Sequence, residues 1–337
     1  MLLAGDIGGT KTVLALFSVQ EQEDGIVRHP VLERTFPSQQ YQTLELIIEE
    51  FLREHDHEIT AGSFGVAGPV VGGRAQVTNL PWVIEAAAVR DRFGFHIHLL
   101  NDLEAVACAV PYLSGADVVT LNEGEPVARG AVGVIAPGTG LGEGFLVWTG
   151  TRYEAFPSEG GHCAFGPTTP LQLEMLNFWL PRMGHVSYER VCSGIGIPNI
   201  YTFLRESGRF EEPAWLQEAL AGKADMTPVI AKAAIAGEAD ICIATMELFM
   251  EILGDQAGNL ALTVLATGGI YLGGGIPPRI LPQLQNGPLM KFFIDKGRFT
   301  DMMERIPVHV IFNPKTALYG AAYDALAMTH EMGHVNA

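Results

Sequence analysis

Gly5-Asp6-Ile7-Gly8-Gly9-Thr10-Lys11-Thr12 is the stretch on which the reading of the chain turns. It joins an apolar run at residues 2–6 to a second at 12–19, so the two read as strands of a hairpin closed by Gly8-Gly9-Thr10. It is not a Walker A loop, because Thr10 stands where a glycine should precede the lysine and no helix follows. The stretch still suits phosphate. Two adjacent glycines let the N–H groups of the turn face an anion, Thr10 adds a hydroxyl and Lys11 a cation. Asp6, at the strand end, carries the hard oxygen ligand that Mg²⁺ takes through water. An ordinary glycine-rich hairpin turn explains the same residues, and the stretch alone does not separate the two.

Outward from this hairpin, residues 31–36 read as a third strand. Residues 43–55 read as a helix with Leu44, Ile47, Ile48, Phe51 and Leu52 on one face. Strands at 63–67 and 96–100 alternate with helices at 84–93 and 101–111, which predicts a mixed sheet with helices on its faces. The pattern then restarts with strands at 118–121, 130–136 and 143–148. Between the last two lies Pro137-Gly138-Thr139-Gly140-Leu141-Gly142, which fails the dinucleotide pattern because Glu143 and Phe145 occupy the glycine positions. Two strand–Gly/Thr turn–strand units, one opening each half, look like two hairpins that grip one phosphate chain. Helices dominate residues 171–266, with a long one at 240–265; strands follow at 270–272 and 308–312, and a last helix at 314–328.

A chain of 337 residues exceeds what one hydrophobic core supports, so two domains are expected. With 48% hydrophobic and 18% charged residues it is a globular composition, not a disordered one. The net charge of −17 argues against a nucleic-acid partner, which needs a basic patch. Cys108, Cys163, Cys192 and Cys242 form no CxxC pair and fit a reduced, cytoplasmic setting. Met1 leads straight into the first strand without a basic segment, so no signal peptide is read. Thr263, Thr267 and several glycines interrupt the longest apolar stretch, 259–278, so no membrane span is expected.

Three further constellations could carry chemistry. Asn101-Asp102 stands at the end of a strand and the start of a helix. An isolated aspartate there is commonly a helix cap, but carboxylates beyond the carboxyl ends of sheet strands also sit where α/β folds bind ligands. Ser158-Glu159-Gly160-Gly161-His162, with Glu189 further on, offers the acceptors and donors that sugar hydroxyls need, against the plain alternative of a solvated loop. His330-Glu331-Met332-Gly333-His334 matches H-E-x-x-H, but no third ligand follows it and Gly333 weakens the helix that should present both histidines. A frayed polar tail is the expectation there.

With these segments in place, the chain resembles the bacterial glucokinase family of the actin–hexokinase–chaperone superfamily. Residues 5–11 look like its first phosphate loop and 138–142 like its second. Leu272-Gly273-Gly274-Gly275-Ile276-Pro277 looks like its adenosine segment. Val66-Ala67-Gly68-Pro69, Thr78-Asn79-Leu80-Pro81-Trp82 and Asn313-Pro314-Lys315-Thr316-Ala317-Leu318 also match. The resemblance implies an α/β, two-domain actin-like ATPase (ribonuclease H-like) fold with mixed sheets and a cleft between domains. The small domain would comprise residues 1–112 with about 315–337, and the large one 113–314. It further implies phosphoryl transfer from ATP, with Mg²⁺, to the 6-hydroxyl of glucose by a cytoplasmic homodimer in glycolysis. Asp102 becomes the general base, and Asn101, Glu159, His162 and Glu189 the further glucose contacts. Asp6, Gly8, Gly9, Thr10, Lys11, Gly138, Thr139, Gly140 and Gly274 become the nucleotide contacts. Many related kinases carry a zinc-binding cysteine cluster after Gly-Gly-His; here only Cys163 follows His162, so no structural zinc is expected. A kinase for another hexose or N-acetylhexosamine, a polyphosphate donor and a non-catalytic sugar sensor stay open as alternatives.

Overall fold

The computed structural model describes residues 1–18, 29–53 and 57–335. It forms two compact units, one of Met1–Ala116, Tyr153–Ala155 and Asn313–Ala337, the other of Asp117–Arg152 and Phe156–Phe312.

The first unit is built on the hairpin of β1 (Leu2–Ile7) and β2 (Lys11–Phe17), which pair antiparallel from Leu2↔Phe17 to Ile7↔Thr12. β3 (Leu32–Pro37), α1 (Leu44–Arg53) and β4 (Ala61–Val66) follow, then the short β5 (Val70–Val71), β6 (Arg74–Gln76) and β7 (Val83–Glu85). α2 (Ala86–Phe93), β8 (His96–Asn101) and α3 (Asp102–Ala109) complete the run. The main sheet has the order β3-β2-β1-β4-β8, with β4 and β8 parallel to β1. Because β1 is buried on both faces, its alternation assigns each side chain to a core. Leu3 and Ile7 pack with Ile47, Ile48 and Phe51 of α1, whereas Leu2 and Ala4 pack with Leu318, Ala321, Ala322 and Ala325 of the C-terminal helix.

Local pattern misplaced some ends. Residues 83–85 pair with β6 as a strand, so the helix expected from 84 begins at Ala86. The C-terminal helix, Thr316–Val335, runs past the expected end at 328 and through residues 330–334, so this stretch is helix and not a frayed tail. A single glycine costs a helix only about 1 kcal/mol, which packing upstream can outweigh. Val19, Glu54 and His55, expected at the ends of the second strand and the first helix, lie outside the described residues.

The second unit repeats the opening of the first. β9 (Val118–Asn122), β10 (Val132–Pro137), β11 (Leu141–Trp148) and β12 (Tyr153–Ser158, counted to this unit from Phe156) precede α4 (Pro170–Met183), α5 (Gly196–Glu206), α6 (Ala214–Leu220), α7 (Thr227–Ala236) and α8 (Asp240–Val264). β13 (Gly269–Leu272), α9 (Leu281–Asn286), α10 (Leu289–Ile294), α11 (Thr300–Glu304) and β14 (Val308–Ile311) follow, and the C-terminal helix is α12. The sheet order is β12-β11-β10-β13-β14-β9. As β1 does between β2 and β4, β10 pairs antiparallel with β11 on one side and parallel with β13 on the other. α8 is buried along most of its 25 residues and forms the spine of this core. Among the described residues no helix is long and apolar enough to cross a membrane.

Candidate active site

In the first unit the β1–β2 turn is braced from behind. Ser38 is fully buried; its hydroxyl donates to the Gly8 carbonyl at 2.7 Å and meets the buried Thr12 hydroxyl at 3.0 Å. The Ser38 amide donates to the Thr10 carbonyl at 3.0 Å. A Cβ on Gly9 would stand 2.7 Å from the Thr78 carbonyl, so this position must be glycine for the turn to lie against residues 78–79. The Gly8 amide donates to the Lys11 carbonyl at 3.0 Å and is therefore engaged inside the turn. The amides of Gly9 and Thr10 have no partner among the described residues, and the Thr10 and Lys11 side chains are exposed.

Asp6 is the penultimate residue of β1, just before this turn. Burial raises its carboxyl above the ordinary value, opposed by Lys11 and reinforced by Asp102. Its carboxylate takes no hydrogen bond among the described residues. A desolvated carboxylate without donors, close to a second carboxylate, is a donor set that fits a hydrated Mg²⁺.

Asn101 and Asp102 divide the work at the start of α3. Asn101 is the cap: its side chain accepts from the Glu104 amide at 2.6 Å, and the Glu104 carboxylate accepts from the Asn101 amide at 3.4 Å. Asp102 is therefore the first residue inside the helix and is relieved of the capping role. It accepts a bond from the Leu103 amide at 2.9 Å through one oxygen, and its side chain stays accessible. Desolvation nevertheless raises its carboxyl, the backbone N–H bonds opposing. A raised, accessible carboxylate is a better proton acceptor than an ordinary aspartate.

In the second unit, the β10–β11 turn is shaped by the same logic. The Gly138 amide donates to the Gly140 carbonyl at 2.9 Å, so it too is engaged within its turn. The amides of Thr139 and Gly140 have no partner among the described residues, and the Thr139 side chain is exposed. Gly274 has φ +80°, and a Cβ on it would stand 2.5 Å from the Pro137 carbonyl, which holds the Gly273–Gly275 loop beside this turn. Glu189 accepts from the Leu141 amide at 3.1 Å, so one of its oxygens serves the turn.

Glu159 precedes and His162 ends a one-turn 3₁₀ helix, Gly160–His162. Both are exposed, 90% and 59%, and their side chains approach at 3.8 Å, so neither is tied into the core. Beneath them lies a residue the sequence reading used only to exclude a dinucleotide site. Glu143 is 3% exposed, accepts from Gln256 at 2.8 Å, and has its carboxyl raised by burial. Ser38, Thr12, Glu143 and Gln256 are the contributors that sequence reasoning missed. Ser38 and Gln256 give no local signal, whereas the adjacent glycines at 160 and 161 hinted that something lies close below.

This arrangement agrees with what the chain is similar to. The fold is that of the actin-like ATPases, seen in a glucokinase from an Antarctic psychrotroph with a TM-score of 0.86 and 30% identity over 96% of this chain and 98% of that one. A ROK family glucokinase from Streptomyces griseus, in complex with glucose and AMPPNP, shares the fold at a TM-score of 0.61 and 21% identity, covering 96% of this chain and 98% of that one. The family described as Glucokinase matches residues 3–328. A glucokinase of Nostoc punctiforme is 39% identical, over 96% of this chain and 98% of its own. The chain belongs to the glucokinase family.

Proposed function

We propose that the chain transfers the γ-phosphoryl group of ATP to the 6-hydroxyl of glucose, giving glucose 6-phosphate and ADP. The observation that carries the reading is Asp102, an accessible carboxylate raised by desolvation and freed from capping by Asn101. Asp102 accepts the proton of the primary hydroxyl as its oxygen forms a bond to the γ-phosphorus and the bond to the β-phosphate oxygen breaks. A placed base of this kind contributes roughly 10²–10⁴ in rate. Asp6 would hold Mg²⁺ through water, and the ion when bound supplies charge neutralisation at the β- and γ-phosphates. The Gly9, Thr10, Thr139 and Gly140 amides, with the Thr10 and Thr139 hydroxyls, hold the phosphates, and Lys11 adds charge. Gly274 lets its loop bend toward the nucleotide. Asn101, through its side-chain N–H group, with Glu159, His162 and the second Glu189 oxygen, binds the uncharged sugar by hydrogen bonds.

The enzyme acts in the cytoplasm as a homodimer and feeds glycolysis, as the family resemblance implies. A coupled assay for glucose-dependent ADP formation, with and without Mg²⁺, tests the reading. Glucose is expected to outpace fructose, mannose and N-acetylglucosamine, and ATP to outpace polyphosphate. ADP formation indifferent to glucose would overturn it, and gel filtration checks the dimer.

A further inference from the structure

Glu143, on β11, is buried without an ion pair among the described residues, although burying a carboxylate is costly. One oxygen accepts from Gln256 of α8. The other lies against Gly160: a Cβ on Gly160 would stand 2.9 Å from the Glu143 carboxyl carbon and closer still to that oxygen. The next nearest atom to that Cβ is the Ser158 hydroxyl oxygen, at 3.3 Å. The closest approach at position 160 is thus to one side chain, Glu143. Gly161 differs, since its Cβ would run into the Leu141 carbonyl, which is backbone.

Gln256 is itself held. Its carbonyl accepts from Asn259 at 3.2 Å, the Asn259 amide reaches the Tyr188 hydroxyl at 3.1 Å, and the Asn259 carbonyl accepts from Lys296 at 2.9 Å. Lys296 pairs with Asp255, and both side chains are less than a tenth exposed. From the other side, the Tyr188 amide donates to the Cys163 carbonyl at 3.0 Å and the Glu189 amide to the Gly161 carbonyl at 2.9 Å. One buried polar network therefore reaches the Glu159–His162 turn from two directions.

We propose that Glu143 is a positioning residue for sugar recognition: packed directly under Gly160 and braced by Gln256, it fixes the turn that presents Glu159 and His162. This rests on the sugar-kinase reading above. Calorimetric titration with glucose, without nucleotide, tests it in Gly160→Ala, Gly161→Ala and each combined with Glu143→Asp. Gly160→Ala is expected to weaken glucose binding by about tenfold or more, in line with losing one buried hydrogen bond. Glu143→Asp, which withdraws the carboxylate by one methylene, restores the Gly160→Ala variant to within about threefold of wild type, less than the tenfold loss. It leaves Gly161→Ala unrescued, and recovery of affinity is independent of melting temperature. Wild-type affinity in Gly160→Ala, or no rescue by Glu143→Asp, overturns the proposal while the sugar-kinase reading stands. Failure of the wild type to bind glucose removes both. Should Gly160→Ala not fold, Glu143→Ala is expected to weaken glucose but not MgATP binding, and unchanged glucose binding overturns the proposal.

Discussion

Asp102 meets two opposed demands, and its surroundings show how. Desolvation makes its carboxylate basic, while the Leu103 amide holds one oxygen and orients the group. Asp102→Asn is expected to bind glucose nearly as wild type yet lose roughly 10²–10⁴ in turnover, read by calorimetry beside the coupled assay. Because the base works deprotonated and its carboxyl is raised, the acid limb of turnover should lie above the ordinary aspartate range. A limb that persists unchanged in Asp102→Asn would assign it to another group. Stability moves the other way. The folded chain holds this proton more tightly than the unfolded chain, so ionisation costs stability as pH rises from the ordinary carboxylate range through the raised value. Asp102→Asn should therefore melt no lower than wild type at neutral pH, the stability that a functional carboxylate gives up.

At the scale of elements, the two glycine turns owe their shape to what lies behind them. Ser38 follows β3 and reaches back to Gly8 and Thr12, so the third strand fixes the turn between the first two. Ser38→Ala leaves a buried Thr12 hydroxyl without its partner, a cost of about 1–3 kcal/mol. The expected result is a raised KM for ATP with the KM for glucose little changed; a fall in turnover with both KM values unchanged would mean general unfolding. Nothing around Ser38 in the sequence marks this contact, because it joins residues 26 apart. The turns themselves could be read, since paired glycines between apolar runs are a local pattern.

The second unit buries an ion pair, Lys296 with Asp255 of α8. Lys296→Met leaves Asp255 uncompensated in the core, which costs about 3–5 kcal/mol. The thermal midpoint should fall on the order of 10 °C for a unit of this size. Differential scanning calorimetry checks this, and an unchanged midpoint would show that water satisfies the aspartate. The pair joins α8 to the segment after α10, which the sequence presents as unrelated charges 41 positions apart.

What the sequence by itself determined is whatever depends on near neighbours: the two hairpins, the helical faces, the glycines at the turns and the carboxylate at the start of α3. These follow from backbone freedom and from apolar spacing along a single strand or helix. Only the tertiary structure decided that Asn101 caps while Asp102 does not, that the Gly8 and Gly138 amides close their own turns, and that Glu143 lies beneath Gly160. Each of these turns on how a side chain or amide is oriented and on which group meets it, and folding fixes that in space beyond what residue identity and spacing express.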